Sequence, residues 1–368
     1  MSSGLKKQDD APKNNAKTPD VNTVTPAAAS PQDGPAETPT LNGDEGLPGD
    51  EWSGLEPTEK DMGLVKFVLD RGVRTTVMGT VYGLDFEIED EGYSLKVFFD
   101  YYNRRLKVID YEANDFSAMM QRLAWLAQSN DFDKIFVKAK HNDFQLFLSH
   151  GYMMEGILRY YFNGEDAYVL SRFSSSDRVQ SDDLLNEAKL VEELIYHSER
   201  SPAKPLDPEV EIIHARPRHI PQLVTIYRSV FESYPSPLTN PDYIKSTMEH
   251  NVLYRLALKN GEAVAAASAD ISFKYSNAEM TDCATIPEGQ GKGLMQHILM
   301  ELEQDLKDRD IMTAYTLARG MSVGMNRVFY RLGYEFSGRL INNCDIFGKF
   351  EDMNIWVKDL SAIPKEEI

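Results

Sequence analysis

A glycine-rich turn between a short β-prone run and an apolar helix is the segment whose residue types point most directly to chemistry. Residues 289–293 read Gly-Gln-Gly-Lys-Gly and follow Pro287. Behind the turn, apolar residues at helical spacing predict a helix; they are Leu294, Ile298, Leu302 and Leu306. A helix start presents free backbone N–H groups and a partial positive charge, and glycines let a ligand approach that backbone closely. With the cation of Lys292, the turn is predicted to bind phosphate.

Two better-known phosphate-binding motifs do not match this turn. The Walker loop requires Gly-Lys followed by Ser or Thr, whereas Gly293 follows Lys292 here. The dinucleotide-binding fingerprint requires a third glycine at a spacing that this segment lacks. An ordinary strand-to-helix turn without a ligand stays open as the alternative.

Residues 290–295, Gln-Gly-Lys-Gly-Leu-Met, resemble the Gln/Arg-x-x-Gly-x-Gly/Ala pyrophosphate loop of the GNAT acetyltransferases, which bind acetyl-CoA. The chain departs from that pattern at Met295, where the family usually has Gly or Ala. The predicted strands and helices of residues 210–360 follow an order similar to that of the family, and residues 326–338 resemble its closing helix and Tyr-x-x-x-Gly-Phe/Tyr signature.

This resemblance implies a mixed-sheet α/β acyltransferase fold with acetyl-CoA as co-substrate and no metal. It assigns cofactor contacts to the end of the preceding strand and to the turn itself. The residues so assigned are Ala284, Thr285, Ile286, Gln290, Gly291, Lys292, Gly293, Leu294 and Met295.

Acetyl transfer to an alkyl amine requires a base, because an ammonium with a pKa of about 10.4 is almost entirely protonated at pH 7. Glu279 begins the strand that leads into the turn, and its position resembles that of the family's general-base glutamate. Asp282 is the alternative base, or a ligand for the substrate ammonium. Strand alternation would place these two carboxylates on opposite faces unless a β-bulge intervenes. The plain alternative for either is a solvated surface carboxylate.

A proton donor for the leaving thiolate is expected in the closing helix. Tyr330 resembles the family's general-acid tyrosine there, with a core tyrosine as the alternative. Asn326 precedes it by one helical turn on the same face, and we expect it to hydrogen-bond the pantetheine arm. The family often carries that Asn at the place of Val323, and Ser322 is a weaker candidate for the same contact.

An internal repeat connects this region to the part of the chain before it. Residues 144–158 match residues 326–340 at one fixed offset. The matching pairs are Phe147 and Phe329, Gly151 and Gly333, Tyr152 and Tyr334, Gly156 and Gly338, and Leu158 and Leu340. The first copy has Leu148 at the place of Tyr330 and has no glycine-rich loop. We therefore predict tandem GNAT-like units, of which the first is catalytically empty and packs on the second, shapes its pocket or mediates a homodimer.

Composition divides the chain into four parts. Residues 1–62 are rich in Pro, Ala, Thr and acidic residues, which predicts a disordered acidic tail, and they contain no signal-peptide core. We call residues 63–178 the front half, residues 179–208 the connector and residues 209–360 the rear half. The connector is predicted to be an amphipathic helix followed by a proline-containing linker. The rear half is predicted to be the catalytic unit.

The chain also resembles the β-lysine N-acetyltransferases. The segments that carry this resemblance are residues 231–237, 278–288, 322–326 and 345–356. It implies acetylation of the N6 amine of β-lysine, which gives a compatible solute. A zwitterionic diamino acid needs a cation or an amide for its carboxylate, and carboxylates or a tyrosine for its second ammonium group. The candidates are Tyr234, Asp282, Asn343 and Asp345, with Asn354 and Arg319 in addition.

Several other functions are disfavoured by composition. A formal net charge of −19 argues against a nucleic-acid partner. Two cysteines suit a reducing compartment, so a cytoplasmic location is expected; the histidines show no metal spacing, and no run approaches a membrane span. Cys283 as an acyl-carrying nucleophile is disfavoured because direct transfer needs none. The rivals that stay open are acetylation of a polyamine or protein lysine, and a non-catalytic module that senses acyl-CoA.

Overall fold

The structure is a computed structural model that describes residues 63–79, 82–232, 234–346 and 348–361. The predicted acidic tail, residues 1–62, lies outside the described residues.

Among its described residues, the front half consists of eight strands, along which apolar and polar residues alternate, and three helices. Its strands are β1 (Gly63–Asp70), β2 (Val73–Gly79), β3 (Leu84–Glu89), β4 (Tyr93–Asp100), β5 (Arg105–Ala113), β6 (Lys134–Ala139), β7 (Met153–Phe162) and β8 (Glu165–Phe173). Its helices are α1 (Phe116–Ser129), α2 (Phe144–Ser149) and the short α3 (Ser176–Val179). The connector contains α4 (Leu184–His197), as its amphipathic pattern predicts.

The rear half contains seven strands and four helices in its described residues. The strands are β9 (Val210–His214), β10 (Val252–Lys259), β11 (Glu262–Ser272), β12 (Asn277–Thr285), β13 (Thr313–Arg319), β14 (Glu335–Ile346) and β15 (Lys349–Asp359). The helices are α5 (Ile220–Val230), α6 (Pro241–His250), α7 (Leu294–Lys307) and α8 (Val323–Arg331).

One 13-stranded sheet runs through both halves. Its order is β3-β4-β5-β6-β8-β7-β14-β15-β13-β12-β11-β10-β9, and β1 and β2 form a separate hairpin. In the front half, β5 and β6 are parallel and the other pairs are antiparallel. In the rear half, β12 and β13 are the parallel pair. The two halves therefore share one connection pattern, run outward in opposite directions from the middle of the sheet, and form the predicted tandem.

The halves meet where β7 pairs with β14, a junction that we call the seam. Gly338 of β14 lies directly opposite Gly156 of β7, and these are the two glycines that the sequence repeat had matched. A Cβ on Gly338 would lie 2.4 Å from both the Glu155 carbonyl oxygen and the Gly156 Cα, and the φ of Gly338 is +151°. Glycine is required here because only it permits both this approach and this conformation.

Side chains on opposite faces of the rear sheet pack against different helices. The apolar stripe of α7 is buried against β10, β11 and β12, as its spacing predicts. Ala265 and Ala267 belong to that core, whereas Ala266 belongs to the core under α5 and α6. This alternation follows from the strand geometry. In the front half, α1 packs on β5 and β6, which are the parallel pair of strands.

Sequence patterns predict most of these elements but miss five. In the front half they predict β2, β4, β5, β6 and α1, and in the rear half the order of the predicted elements agrees with the structure apart from α6. The strands β1, β3 and β8 and the helices α3 and α6 were not predicted. For α6 a signal was present: Pro241 occupies the first turn, and the Asn240 side chain caps it by accepting from the backbone N–H of Asp242 at 2.9 Å.

Candidate active site

A cavity of about 320 Å³ lies on the sheet face where the two halves adjoin. The front half contributes side chains from β4, β5 and β6, and the rear half contributes side chains from β11, β12, β13 and residues 234–237. Its walls combine aromatic rings with a small number of charged groups, which is typical of sites for small molecules. The front half thus shapes the pocket of the rear half, one of the three roles that the repeat left open.

Glu279, on β12, lies in the wall of this cavity. It pairs with Asp270 on β11 and with Tyr315 on β13. The Tyr315 hydroxyl donates a hydrogen bond to Glu279 Oε2 at 3.2 Å. The carboxylate is therefore held in place from β13 while it faces the cavity.

Asp282 also lines the cavity, because β12 contains a bulge. The register with β11 shifts between Ala266 and Ser268, and Asp282 has a φ of +52°. The bulge brings Glu279 and Asp282 to one site, which simple alternation would have prevented. Burial raises the pKa of Asp282 to about 6, although hydrogen bonds from Ser268 and Tyr234 act in the opposite direction. The Ser268 hydroxyl donates to Asp282 Oδ2 at 2.6 Å.

Asp270 is a third carboxyl group at the cavity, and the sequence did not single it out. Burial, together with the charges of Glu279 and Asp282, raises its pKa to about 7. The Asn251 amide donates to Asp270 Oδ1 at 2.6 Å. Three acidic side chains from β11 and β12 therefore make the rear wall of the cavity a site for cationic groups.

The parallel strands β12 and β13 separate beside Glu279. Their pairing ends at Glu279 and Tyr315, and both strands continue past that point. Residues of the separated segments, Thr281 on β12 and Thr316 on β13 among them, line the cavity. The strands thus separate toward the end of β12 that the glycine-rich turn follows along the chain.

The glycine-rich turn has the conformation that its composition predicts. Gly291 and Gly293 have φ values of +72° and +81°, and Gly293 is the N-cap of α7. No side chain caps α7 and no acidic residue lies in its first turn. Gln290 and Lys292 are exposed, whereas the Met295 side chain is buried in the core. The start of α7 is therefore available to an anion, and the turn fits a pyrophosphate.

The strand end before the turn and the start of α7 are partly buried. Ala284 belongs to the core under α5, and Leu294 belongs to the core under α7. Thr285 accepts a hydrogen bond at its carbonyl from the Gln290 side chain at 3.4 Å. Ile286 leads into a 3₁₀ turn over Pro287–Gly289. These residues position the turn, so any cofactor contact from Ala284, Leu294 or Met295 would come from the backbone.

Tyr330 and Asn326, both in the closing helix α8, have different hydrogen-bond partners. The Tyr330 hydroxyl donates to the Ser198 carbonyl of the connector at 2.9 Å. Asn326 is completely buried: its amide nitrogen donates to the Arg319 and Ser322 carbonyls, and its oxygen accepts from Asn354 and Trp356. Every polar atom of this side chain already has a protein partner, and the expected contact of Asn326 with the pantetheine arm stays a prediction.

The four candidates for substrate binding separate into two groups. Tyr234, Asp282 and Asn343 line the cavity, and Tyr234 stacks on Phe231 with ring centroids 4.3 Å apart. The Asn343 side-chain oxygen is buried without a hydrogen-bond partner among the described residues. Asp345 does not line the cavity, and its backbone N–H donates to the Asn103 side chain at 2.8 Å. Its role as a substrate ligand stays a prediction.

Two lysines of the cavity come from the front half, and sequence reasoning missed them. Lys107 on β5 and Lys138 on β6 both line the cavity. The Lys138 ammonium donates to the hydroxyls of Tyr161 at 2.7 Å and Tyr315 at 3.3 Å. A signal was present, since Lys107 and Lys138 each follow and precede an apolar residue in their strands.

Other chemistry receives little support in the part of the chain that the structure describes. No group of three or more His, Cys, Asp and Glu side chains there could hold a metal ion. Burial raises the pKa of the Cys283 thiol, which opposes a nucleophilic role. No helix among these residues is both long and apolar enough to cross a membrane.

Comparison with known proteins agrees with this geometry. Residues 220–334 match the model of the acetyltransferase (GNAT) family. The N-acetyltransferase YodP of Bacillus subtilis is 35% identical over 273 residues, which cover 74% of this chain and 98% of that protein. A beta-lysine N(6)-acetyltransferase of Methanococcus maripaludis is 34% identical over 250 residues, covering 66% of this chain and 89% of that protein. One of the same name from Methanosarcina mazei is 36% identical over 230 residues, covering 57% and 85%.

A separated parallel strand pair with a carboxylate beside it, and an uncapped helix start after a glycine-rich turn, fit the acyltransferase class that these comparisons show. The chain belongs to the GNAT acetyltransferase family. It is an acetyl-CoA-dependent N-acetyltransferase with the mixed α/β fold of that family. The predictions of this fold, this class of enzyme and this co-substrate are confirmed.

Proposed function

We propose that the enzyme acetylates the N6 amine of β-lysine. The observation that carries the proposal is the cavity at the seam, whose rear wall holds Asp270, Glu279 and Asp282. Three carboxyl groups at one wall suit a molecule with two ammonium groups. The two relatives named beta-lysine N(6)-acetyltransferase support the choice of acceptor.

Glu279 is the proposed general base. Producing the free amine of an alkyl ammonium at pH 7 costs roughly 4–5 kcal/mol, and a positioned carboxylate lowers that barrier. Glu279 lies beside the gap between β12 and β13, and the Tyr315 hydroxyl orients it. Asp282 and Tyr234 would hold the second ammonium, since they hydrogen-bond to one another at the same wall. Asn343 would offer its unpartnered oxygen as a further acceptor.

The turn at the start of α7 is the proposed site for the pyrophosphate of acetyl-CoA. Its uncapped N–H groups, Gly291, Gly293 and the exposed Lys292 fit an anion there. Bound acetyl-CoA supplies the activated acetyl group. The gap between β12 and β13 offers a passage from the turn to Glu279, so the chain can bring donor and acceptor together from opposite sides of β12.

Tyr330 remains the proposed proton donor to the leaving thiolate. Its hydroxyl now donates to the Ser198 carbonyl, and it would exchange that carbonyl for the leaving group during turnover. The connector therefore holds the hydroxyl at a fixed place when no leaving group is present.

The proposal is tested by measuring thiol release from acetyl-CoA with β-lysine, α-lysine and spermidine, and by locating the acetyl group with NMR. We expect kcat/KM for β-lysine to exceed that for the other two amines by roughly tenfold or more, with the product acetylated at N6. If α-lysine or spermidine is acetylated as well as β-lysine, the proposed acceptor is wrong.

A further inference from the structure

Lys107 occupies in the front half the strand position that Glu279 occupies in the rear half. The strands β5 and β12 are each nine residues long. In each of them the third residue pairs with the third residue of the parallel neighbour, Lys107 with Phe136 and Glu279 with Tyr315. Both third residues line the cavity. The repeat therefore places a cation and a carboxylate at equivalent positions on opposite walls.

Lys107 differs from the other inward-facing cations of the front half in having neither an ion pair nor a hydrogen bond among the described residues. Arg105 is paired with Asp100 at 2.7 Å, and Lys134 is paired with Glu155 at 3.0 Å. The Lys107 ammonium makes no hydrogen bond or ion pair with any described residue and lies 5.5 Å from the centroid of the Phe98 ring. A cation in a protein interior normally has a partner, so one that faces a cavity without a partner indicates an anionic ligand.

The charged groups around Lys107 are also consistent with an anionic ligand. Burial lowers the pKa of Lys107, and the positive charges of Arg105 and Lys138 lower it further. Asp100 and Glu279 act in the opposite direction. An anion bound beside Lys107 would favour the charged form of the ammonium group.

We propose that Lys107 binds the carboxylate of the acceptor, so that the substrate class is an amino acid rather than a simple polyamine. The acceptor then spans the seam, with its carboxylate at the front wall and its reacting amine at Glu279. This inference rests on the proposed function for the nature of the reaction. The front half would thus supply specificity to a site whose catalytic groups lie in the rear half.

The experiment compares two amines that differ only in the carboxylate. β-Lysine and 1,4-diaminopentane are such a pair, and calorimetry measures their binding to the full-length protein with CoA bound. We expect wild type to bind β-lysine more tightly by about ten- to a hundredfold, as for a charged hydrogen bond in a cavity. Lys107→Met should abolish that preference and leave the affinity for 1,4-diaminopentane unchanged. Lys107→Arg should retain most of it.

The matched control is Lys96→Met, which removes a lysine from β4 that is paired with Glu87 at 3.4 Å outside the cavity. It should preserve the preference for β-lysine. A thermal melt monitored by circular dichroism verifies that Lys107→Met folds. If Lys107→Met weakens both amines equally, Lys107 serves only to balance the charge of Glu279, and the inference is overturned.

A second pair, α-lysine and cadaverine, separates this inference from the proposed function. If β-lysine is not acetylated but α-lysine binds better than cadaverine through Lys107, the named acceptor is wrong and the carboxylate site stands. If wild type prefers neither carboxylate-bearing amine over its partner, the carboxylate site is wrong, whatever amine is acetylated.

Discussion

The strands β5 and β12 occupy equivalent positions in the two halves, but they contribute side chains of opposite charge to the cavity. They have the same length and equivalent neighbouring strands, and they line the same cavity. At the same strand position, β5 carries Lys107 and β12 carries Glu279. The sheet geometry fixes where these side chains point, and the side-chain type decides whether the wall attracts an anion or a cation. The comparison teaches that a half without a cofactor loop can still supply part of the site.

The helices that follow these two strands show why only one half has a cofactor loop. In the rear half, α7 begins at Gly293 and no side chain caps it. In the front half, α1 begins after Asp115, whose carboxylate accepts from the Ala118 N–H at 2.9 Å. A carboxylate at a helix start occupies the N–H groups that an anion would use and repels it. The front half has thus exchanged an anion site for a helix cap.

The largest expected effect tests the assignment of the base to the rear strand. Glu279→Gln should lower kcat by about 10²- to 10⁴-fold, the usual contribution of a general base, while binding of CoA is retained. Steady-state kinetics and calorimetry with CoA measure the two quantities. The control is Glu112→Gln, which makes the same change at an exposed position of β5. An unchanged kcat for Glu279→Gln would remove the base from the rear half.

The next effect concerns the seam that holds the two strands in register. Gly338→Ala should cost about 3 kcal/mol of unfolding free energy, because its Cβ would overlap the backbone of β7. Gly164→Ala, which has a φ of +100° and nothing within 4 Å, should cost about 1 kcal/mol from backbone strain alone. Urea denaturation measures both. Equal losses would mean that close packing at the seam contributes nothing.

The smallest effect compares glycines with similar conformations in the two halves. Gly293→Ala should raise KM for acetyl-CoA roughly tenfold, about 1.4 kcal/mol, because strain at φ +81° disturbs the N–H groups of the turn. Gly151→Ala has a φ of +82° and similarly open surroundings. It should lower stability by a similar amount without changing KM. A shift of KM in both variants would show that the turn is not specific to the cofactor.

Local patterns in the sequence were sufficient for the parts of the site that one segment builds. The start of α7 follows from the glycines and the apolar stripe behind them, and Glu279 follows from its place on the preceding strand. The joint placement of Glu279 and Asp282 depends on a bulge, which alternation alone cannot locate. Asn326 illustrates the reverse case, since its family position suggested a ligand while its contacts with Asn354 and Trp356 are structural.

The rest of the site could not be predicted because it depends on pairing between distant segments. Lys107 and Asp270 line the same cavity only because β7 pairs with β14, which joins the two half-sheets into one sheet. The repeat matched Gly156 with Gly338, but nothing in either segment alone shows that these two glycines lie opposite each other. The carboxyl group of Asp270 and the ammonium groups of Lys107 and Lys138 were missed for that reason.

The continuous sheet has a consequence for which end of an acceptor reacts. In a homodimer with two-fold symmetry, the same residue would stand at both equivalent positions, so both walls of a shared cavity would carry the same charge. A single chain that contains both halves is free of that constraint and carries Lys107 on one wall and Glu279 on the other. A diamine with a carboxylate at one end would then enter in one orientation only. Regioselectivity would follow from broken symmetry rather than from a tighter pocket.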